Sequence, residues 1–254
     1  MSTATPGGDP WIRRFHPAGD APVRLVCLPH AGGSASFFFP LSQALSPRLD
    51  VLCVQYPGRQ DRRHEPLVDD IGKLADALVP VLAPWCDRPT ALFGHSMGAS
   101  LAFEVACRLE AAGTEVAAVI ASGRRAPSEV REEFTHLKDD DGLIADLKSL
   151  SGTQARIFED EEILRMALPA IRNDYRAAET YRFGGGGPLR APIHVHTGDA
   201  DPKVNLDEAR AWARHTTGEF SLQTYSGGHF YLVPHAARMT RAIAETLTTA
   251  RRAG

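Results

Sequence analysis

The segment Thr90 to Ala102 holds the residues of this sequence that point most directly to chemistry. A short apolar run leads into Gly94-His95-Ser96-Met97-Gly98, and a pattern of small residues typical of a helix follows it. This Gly-x-Ser-x-Gly pattern predicts that Ser96 lies on a sharp turn between a strand and a helix, where its hydroxyl is exposed as a nucleophile. The flanking glycines make room for the turn, and a helix N-terminus favours developing negative charge. A chance match is the alternative, but the strand and helix on either side argue against it.

The base that would activate this serine is predicted at His229. A serine hydroxyl is a weak nucleophile near neutral pH, so it requires a base within hydrogen-bonding reach and a third group that orients the base. His229 stands in the glycine-rich segment Ser226 to Phe230, between the last predicted strand and the last predicted helix. Asp199 and Asp201 both follow the preceding strand. We prefer Asp201 as the orienting acid because it lies deeper in its loop, and we expect Asp199 to cap the turn through its own backbone.

Two backbone amides are predicted to form an oxyanion hole, the pair of donors that stabilises negative charge on a reacting carbonyl oxygen. The N–H of Met97 directly follows the candidate nucleophile. The second donor, Ala31, lies in Pro29-His30-Ala31-Gly32-Gly33-Ser34, where glycines let the backbone approach a substrate closely. An ordinary turn or a phosphate-binding loop is the alternative, but the segment lacks the Gly-Lys-Ser/Thr ending of a nucleotide loop.

Four other histidines need an interpretation because they lie near these loops or within a strand. His30 and His95 flank the active loops, and we expect them to position or pack rather than to act as the base. His194 and His196 alternate within a predicted strand, which could indicate a metal pair. No third ligand lies within sequence reach, so packing is the preferred interpretation and we expect no metal site.

The elements that must position these residues alternate between strands and helices. Apolar runs typical of strands buried on both faces lie at Val23–Leu28, Val51–Tyr56, Thr90–Phe93, Val116–Ser122, Ile193–Thr197 and Phe220–Tyr225. Helical patterns lie at Phe37–Leu45, Ile71–Leu82, Met97–Ala111, Leu206–His215 and Pro234–Arg251. This alternation predicts an α/β fold with a mostly parallel sheet covered by helices on both faces. In such a sheet, ligands bind beyond the carboxyl ends of the strands.

The alternation is interrupted between Pro127 and Pro188. Here the pattern is helical throughout, at Glu129–Leu137, Asp140–Leu150 and Glu161–Arg182, and it ends in the run Gly184–Gly187. A helical insertion closed by a glycine run, and placed between the nucleophile strand and the later catalytic loops, favours a movable lid over the site. A fixed extra layer of helices is the alternative.

Composition argues against several functional classes. The chain has 254 residues and a formal net charge of −3 at pH 7, which gives no field that would favour binding to nucleic acid or to a membrane surface. Its four cysteines form no Cys-x-x-Cys pair, so disulfides and metal clusters are not expected. The first residues lack the pattern of a signal peptide and no run reaches transmembrane length, so we expect a cytoplasmic location.

Together, these motifs resemble those of the type II thioesterases, the discrete editing enzymes of polyketide and nonribosomal peptide assembly lines, within the α/β-hydrolase superfamily. The resemblance rests on the segments Pro29–Ser34, Tyr56–Arg59, Gly94–Gly98, Gly198–Asp201 and Gly228–Phe230. It extends from about Trp11 to the final helix. The first two segments are more specific than Gly-x-Ser-x-Gly, which many hydrolases share, and the order serine, acid, histidine is that of α/β hydrolases.

This resemblance implies a single α/β-hydrolase domain over residues 1–254, with a helical lid inserted at about 127–188. It also implies hydrolysis of acyl groups from the phosphopantetheine thiol of acyl or peptidyl carrier protein domains of a polyketide or nonribosomal peptide synthase, which removes aberrant or stalled chains. By motif, Ser96 is the nucleophile, His229 the base and Asp201 the orienting acid. Ala31 and Met97 are the amide donors. No cofactor is required, because the phosphopantetheine belongs to the substrate.

Three other functions stay open at this point. A carboxylesterase or lipase acting on free small esters would share every element of the site. A non-catalytic binding protein with the same fold would keep the pocket, although a complete set of three residues in the proper order argues against it. An acyltransferase or cyclase would release the chain to a nucleophile other than water.

Five arginines are candidates for docking an acidic carrier protein and its phosphate. They follow two predicted strands and should therefore emerge at the carboxyl edge of the sheet, near Ser96. They are Arg59, Arg62 and Arg63 after one strand, and Arg124 and Arg125 after another. A solvated run of charges is the alternative, with Asp61 and Glu65 neutralising the first cluster.

Overall fold

A seven-stranded sheet forms the centre of the computed structural model, which describes residues 9–151 and 161–249. The strands are β1 (Ile12–Arg13), β2 (Arg24–Leu28), β3 (Asp50–Val54), β4 (Thr90–His95), β5 (Ala118–Ser122), β6 (Ile193–Gly198) and β7 (Phe220–Tyr225). Their order across the sheet is β1-β3-β2-β4-β5-β6-β7. β1 is antiparallel to β3, and the other neighbouring pairs are parallel. The parallel strands therefore bring their carboxyl ends to one edge.

Helices cover both faces of this sheet. They are α1 (Phe39–Leu45), α2 (Ile71–Leu82), α3 (Met97–Ala111), α4 (Asp140–Ser151), α5 (Glu161–Thr180), α6 (Leu206–Arg210) and α7 (Ala236–Thr249). Because successive strand residues point to opposite faces, Val26 and Leu28 join the core under α2 and α3, whereas Leu25 and Cys27 join the core under α1 and α7. Burial on both faces explains the nearly continuous apolar runs of the sequence.

The predicted elements are observed with small shifts at their ends. The predicted segments Ile71–Leu82, Met97–Ala111 and Phe220–Tyr225 keep the same bounds. Turns of 3-10 helix replace part of two predicted helices, at Ala35–Phe38 before α1 and at Ala211–His215 after α6. β1 has no counterpart in the sequence pattern, because two residues are too few to show an alternation. Across the described residues, no helix combines the length and apolar character that spanning a membrane requires.

The insertion between β5 and β6 is less helical than predicted. α4 and α5 correspond to two of the predicted helices. The predicted helix Glu129–Leu137 is wrong, because only Thr135–Leu137 forms a single 3-10 turn. Upstream of that turn, Arg131 forms an ion pair with Glu208 of α6 at 2.5 Å. Such tertiary contacts outweigh the weak local preference for a helix.

Candidate active site

Ser96 lies at the sharp turn between β4 and α3. Its backbone angles, φ 55° and ψ −118°, are ones that residues other than glycine rarely adopt. The Ser96 N–H donates to the carbonyl oxygen of Ser122 at 2.8 Å, which ties the turn to β5. A side chain at Gly94 would overlap the carbonyl of Gly98, and one at Gly98 would overlap the carbonyl of Leu28. Close packing therefore explains both glycines of Gly-x-Ser-x-Gly.

The structure brings His229 and Asp201 together in one buried pair. Nδ1 of His229 lies 2.9 Å from Oδ2 of Asp201 and 3.0 Å from its Oδ1. The backbone N–H of Lys203 donates to the same carboxylate at 2.8 Å. A carboxylate in this position fixes the orientation of an imidazole and its tautomer, and it leaves Nε2 available to accept a proton.

Asp199 is exposed and has a different set of contacts. Its carboxylate accepts a hydrogen bond from the backbone N–H of Gly227 at 2.9 Å. In addition, the N–H of Ala200 donates to the carbonyl of Gly227 at 3.0 Å. The expectation that Asp199 caps its own turn is wrong in this detail, because its side chain caps the neighbouring loop that carries His229. Asp201 is thus the buried partner of the imidazole, whereas Asp199 is exposed and anchors the neighbouring loop.

His30 and His95 lie beside His229 without sharing its environment. The ring centres of His95 and His229 are 5.0 Å apart, and those of His30 and His95 are 5.8 Å apart. Burial, together with the nearby charges of His229 and Arg59, lowers the pKa of His30 to about 3. Burial also holds the pKa of His95 well below its ordinary value. Of these three imidazoles, His229 is the one that pairs with a carboxylate among the described residues.

His194 and His196 are held by side chains of β7. Nδ1 of His194 lies 2.7 Å from the Ser221 hydroxyl, and Nδ1 of His196 lies 3.0 Å from the Tyr225 hydroxyl. Both histidines are buried. These cross-strand hydrogen bonds agree with the packing interpretation.

The two candidate oxyanion donors lie on segments that touch each other. Met97 is the first residue of α3, so its N–H has no acceptor within the helix. Gly98, the next residue, packs so closely on the end of β2 that a Cβ there would lie 2.7 Å from the carbonyl oxygen of Pro29. The start of α3 and the loop that carries Ala31 are therefore neighbours.

Comparisons with known proteins agree with this arrangement. A family model described as a thioesterase domain matches residues 23–250. This chain belongs to the thioesterase family. It is 52% identical over 247 residues to the probable cadicidin biosynthesis thioesterase of Streptomyces griseus, covering 97% of this chain and 68% of that protein. It is 51% identical over 224 residues to thioesterase PikA5 of Streptomyces venezuelae, covering 87% of this chain and 80% of that protein.

Solved structures of type II thioesterases match this thioesterase closely. BorB, from the borrelidin biosynthetic cluster, matches with a TM-score of 0.91 and 56% identity over 94% of this chain and 98% of its own. YbtT, from the yersiniabactin NRPS/PKS biosynthetic pathway, matches with a TM-score of 0.83 and 31% identity over 94% of this chain and 99% of its own. These matches confirm the α/β-hydrolase fold class and the resemblance to type II thioesterases. The chain is therefore an enzyme that hydrolyses thioesters.

Most of the arginines expected to dock a partner are not surface residues in this thioesterase. Arg59, Arg62 and Arg125 are only 8%, 5% and 5% exposed. Arg62 bonds Glu65 through two nitrogens, with its Nε at 2.8 Å, and Arg125 lies 2.5 Å from Glu133. The expectation that these three arginines are accessible to a partner is therefore wrong. Residues of the same chain pair with their guanidinium groups, which would otherwise be costly to bury.

The other two arginines differ from each other. Arg124 is half-buried and donates to the Ser100 hydroxyl at 2.9 Å and to the carbonyl of Ala178 at 2.8 Å. Arg63 is exposed. Of the five, Arg63 is the one that is exposed, and the prediction of a docking residue is kept for it alone.

Sequence reasoning missed three residues around the site. The Ser122 hydroxyl lies 2.9 Å from Nδ1 of His95 and 2.6 Å from the Tyr231 hydroxyl, a contact across 109 residues that no local pattern indicates. Asp174 of α5 is 1% exposed. A signal for Asp174 exists, since it follows Ile171 by three residues and precedes Ala178 by four, which puts a carboxylate on the apolar face of the helix.

Proposed function

We propose that this thioesterase hydrolyses acyl groups from the phosphopantetheine thiol of acyl or peptidyl carrier protein domains of a polyketide or nonribosomal peptide synthase, and so clears aberrant or stalled chains. The observation that carries the proposal is the buried pair of His229 and Asp201, 2.9 Å apart, at the sheet edge where the strained Ser96 turn lies. The likeness to BorB and YbtT supports the substrate class, since both are type II thioesterases of biosynthetic clusters.

In the proposed reaction, Ser96 Oγ attacks the thioester carbonyl while Nε2 of His229 takes the hydroxyl proton. Asp201 holds the imidazole and stabilises its protonated form. The tetrahedral intermediate then collapses, the carbon–sulfur bond breaks, and the carrier thiol leaves with the proton from His229. A water molecule deprotonated by His229 attacks the acyl-serine, which releases the carboxylic acid and restores Ser96. Nε2 of His229 carries every proton in this sequence, first from Ser96 to the carrier thiol and then from water to Ser96.

The N–H groups of Ala31 and Met97 are the proposed oxyanion hole. They would donate to the oxygen of the tetrahedral intermediate, where charge is larger than in the substrate. The position of Met97 at the first turn of α3 adds the favourable end of the helix dipole. Support comes from the contact between the start of α3 and the loop that follows β2.

The helical insertion at about 127–188 is the proposed lid of a single domain that extends over residues 1–254. An apolar cluster of α4 and α5, which includes Leu143 and Leu168, packs against Ala31 of the proposed oxyanion loop. Side chains of this cluster are therefore candidates to contact the acyl group. The Gly184–Gly187 run supports a hinge, because Gly185 and Gly186 have positive φ. Residues 152–160 of the insertion lie outside the described residues.

A comparison of three substrates that carry the same acyl group tests this function. The substrates are an acyl carrier protein, the corresponding small free thioester and the corresponding oxygen ester. We expect kcat/KM to be highest for the carrier-bound thioester, because only that substrate adds contacts to the protein and the pantetheine arm. A preference for the oxygen ester would instead indicate a carboxylesterase. Turnover of none of the three, with Ser96 inert to a fluorophosphonate, would indicate a binding protein.

A further inference from the structure

The segment Tyr56–Arg59, which follows β3, braces the loop of the proposed oxyanion hole at both ends. The Tyr56 hydroxyl donates to the carbonyl of Pro29 at 3.1 Å, where the loop begins. Nε of Arg59 donates to the carbonyl of Gly33 at 3.1 Å, where the loop ends. The Arg59 guanidinium also stacks over the Tyr56 ring, 5.1 Å from its centre. Arg59 is thus a brace for this loop rather than a docking residue.

Asp174 connects α5 of the helical insertion to the same loop. Its carboxylate forms an ion pair with Arg59, and its Oδ2 accepts a hydrogen bond from the backbone N–H of Gly32 at 2.8 Å. Both charged side chains are almost fully buried. Because a buried charge is costly without a partner, each requires the other. Gly32 directly follows Ala31, so Asp174 fixes the backbone next to a proposed oxyanion donor.

Apolar packing joins α5 to the loop as well. A Cβ at Gly32 would approach Cγ1 of Ile171 to 2.8 Å, and the φ of Gly32 is 75°. The side chain of Ala31 packs against the cluster that α4 and α5 form. Gly32 therefore adopts a backbone conformation that suits glycine, and α5 lies directly on the part of the loop that carries the proposed donor.

We propose that Arg59 and Asp174 are positioning residues that make the oxyanion hole depend on the position of α5. The proposal rests on the role given to Ala31 in the proposed function. With α5 on the loop, the carboxylate holds the Gly32 N–H and neutralises Arg59. With α5 moved away, the Gly32 N–H and the Arg59 guanidinium both lose Asp174 as their partner. The glycine-rich loop is then free to leave the geometry that aims the Ala31 N–H. The insertion would then couple coverage of the substrate to assembly of the catalytic site.

The first test is Asp174→Ala, assayed with a small free acyl thioester. We expect kcat to fall about 10²-fold, the effect of displacing a catalytic group by about 1 Å, while KM changes by less than about threefold. Asn173→Ala is the matched control. Asn173 is the adjacent residue of α5 and also ties the helix down, but its side chain donates to the carbonyl of Val68 at 2.8 Å and not to the oxyanion loop. The control should keep the wild-type kcat.

A second readout separates positioning from a loss of folded enzyme. A trifluoromethyl ketone analogue of the substrate forms a tetrahedral adduct with Ser96 whose oxyanion occupies the hole. Its inhibition constant should rise in Asp174→Ala by about the same factor as kcat falls, with all values expressed per titrated active site. An unchanged kcat per active site, or an equal loss in Asn173→Ala, would overturn the proposal.

A third variant keeps the test decisive if Asp174→Ala does not fold. Asp174→Asn retains the shape of the side chain and loses its charge, and we expect kcat to fall about tenfold because Arg59 is left without a counter-ion. An unchanged kcat in Asp174→Asn would overturn the proposal. Failure of the proposed function is visible separately, since the wild type would then fail on the carrier-bound thioester while these comparisons proceed on the small free acyl thioester.

Discussion

Ser96 keeps a backbone conformation that is unfavourable for a residue with a side chain. Strain of this kind costs on the order of 1–3 kcal/mol and persists where the surrounding structure imposes it. Here the hydrogen bond from Ser96 to Ser122 and the close contact of Gly94 with Gly98 impose it. This strained turn at the end of a central strand supports the proposal that Ser96 is the nucleophile.

Replacing Ser96 with alanine should abolish thioester hydrolysis and leave the fold intact. The hydroxyl supplies the attacking oxygen, whereas its contribution to packing is small. Labelling by a fluorophosphonate, followed by intact-mass spectrometry and circular dichroism, measures both properties. We expect one label per wild-type chain and none on Ser96→Ala. Stoichiometric labelling of the variant would show that another residue is the nucleophile.

The two aspartates of the β6–β7 region should differ sharply when each is changed to asparagine. Asp201→Asn removes the carboxylate that orients His229, and loss of that group in serine hydrolases costs about 10⁴-fold in turnover. Asp199→Asn should cost far less, because an amide oxygen still accepts the hydrogen bond from Gly227. Steady-state kcat with one substrate gives the ranking. The reverse order would move the orienting role to Asp199.

In the loop after β3, tertiary structure determines which arginines are exposed. Three arginines in this loop share one sequence environment, yet Arg59 and Arg62 are buried and Arg63 is exposed. The partner of Arg59 is Asp174, which lies 115 residues further along the chain. Asp61 and Glu65 are the two residues that the alternative interpretation names as neutralising this cluster. Glu65 does pair with Arg62, whereas Asp61 pairs with Arg13.

Charge reversal at Arg63 should weaken the use of a carrier protein without affecting a small substrate. We expect Arg63→Glu to raise KM for the acyl carrier protein several-fold and to leave hydrolysis of the free thioester unchanged, because only the tethered substrate loses a contact. Arg48→Glu is the control, since Arg48 is also exposed but lies before β3, at the opposite end of that strand. Equal effects of the two variants would count against docking at this loop.

The sequence predicted the placement of Ser96 and His229 in the fold, because chain order alone decides it. Ser96 and His229 each follow a strand of a parallel sheet, so their shared edge follows from the alternation of strands and helices. The partners of Arg59 and Ser122 could not be predicted, because packing between distant segments determines them. The helix prediction for Glu129–Leu137 failed for a related reason, since the ion pair of Arg131 with Glu208 of α6 holds this segment.

Buried neutral histidines give the whole molecule a dependence of stability on pH. Burial lowers the pKa of His196 to about 3, and the pKa values of His30 and His95 are lowered for the same reason. Between about pH 6.5 and 3 the unfolded chain therefore binds more protons than the folded chain at these sites. The free energy of unfolding consequently falls as the pH is lowered through this range.

Replacing His196 with glutamine should make this pH dependence shallower. One group that takes up a proton on unfolding is removed, which corresponds to a slope smaller by up to about 1.4 kcal/mol per pH unit. Urea unfolding at several pH values between 7 and 4 measures the slope. His64→Gln, at an exposed position, controls for the loss of a histidine elsewhere. An unchanged slope in His196→Gln would contradict the explanation, whatever its effect on stability at pH 7.

The most direct test of the account is the fate of one acyl group during a single incubation. An acyl carrier protein loaded through its phosphopantetheine thiol is mixed with the thioesterase in H₂¹⁸O, and the intact masses of both proteins and of the released acid are followed with time. We predict that the carrier returns to its unloaded mass, that an acyl group appears transiently on Ser96, and that the acid carries one ¹⁸O atom. A carrier that stays loaded, or a product without ¹⁸O, would contradict the account.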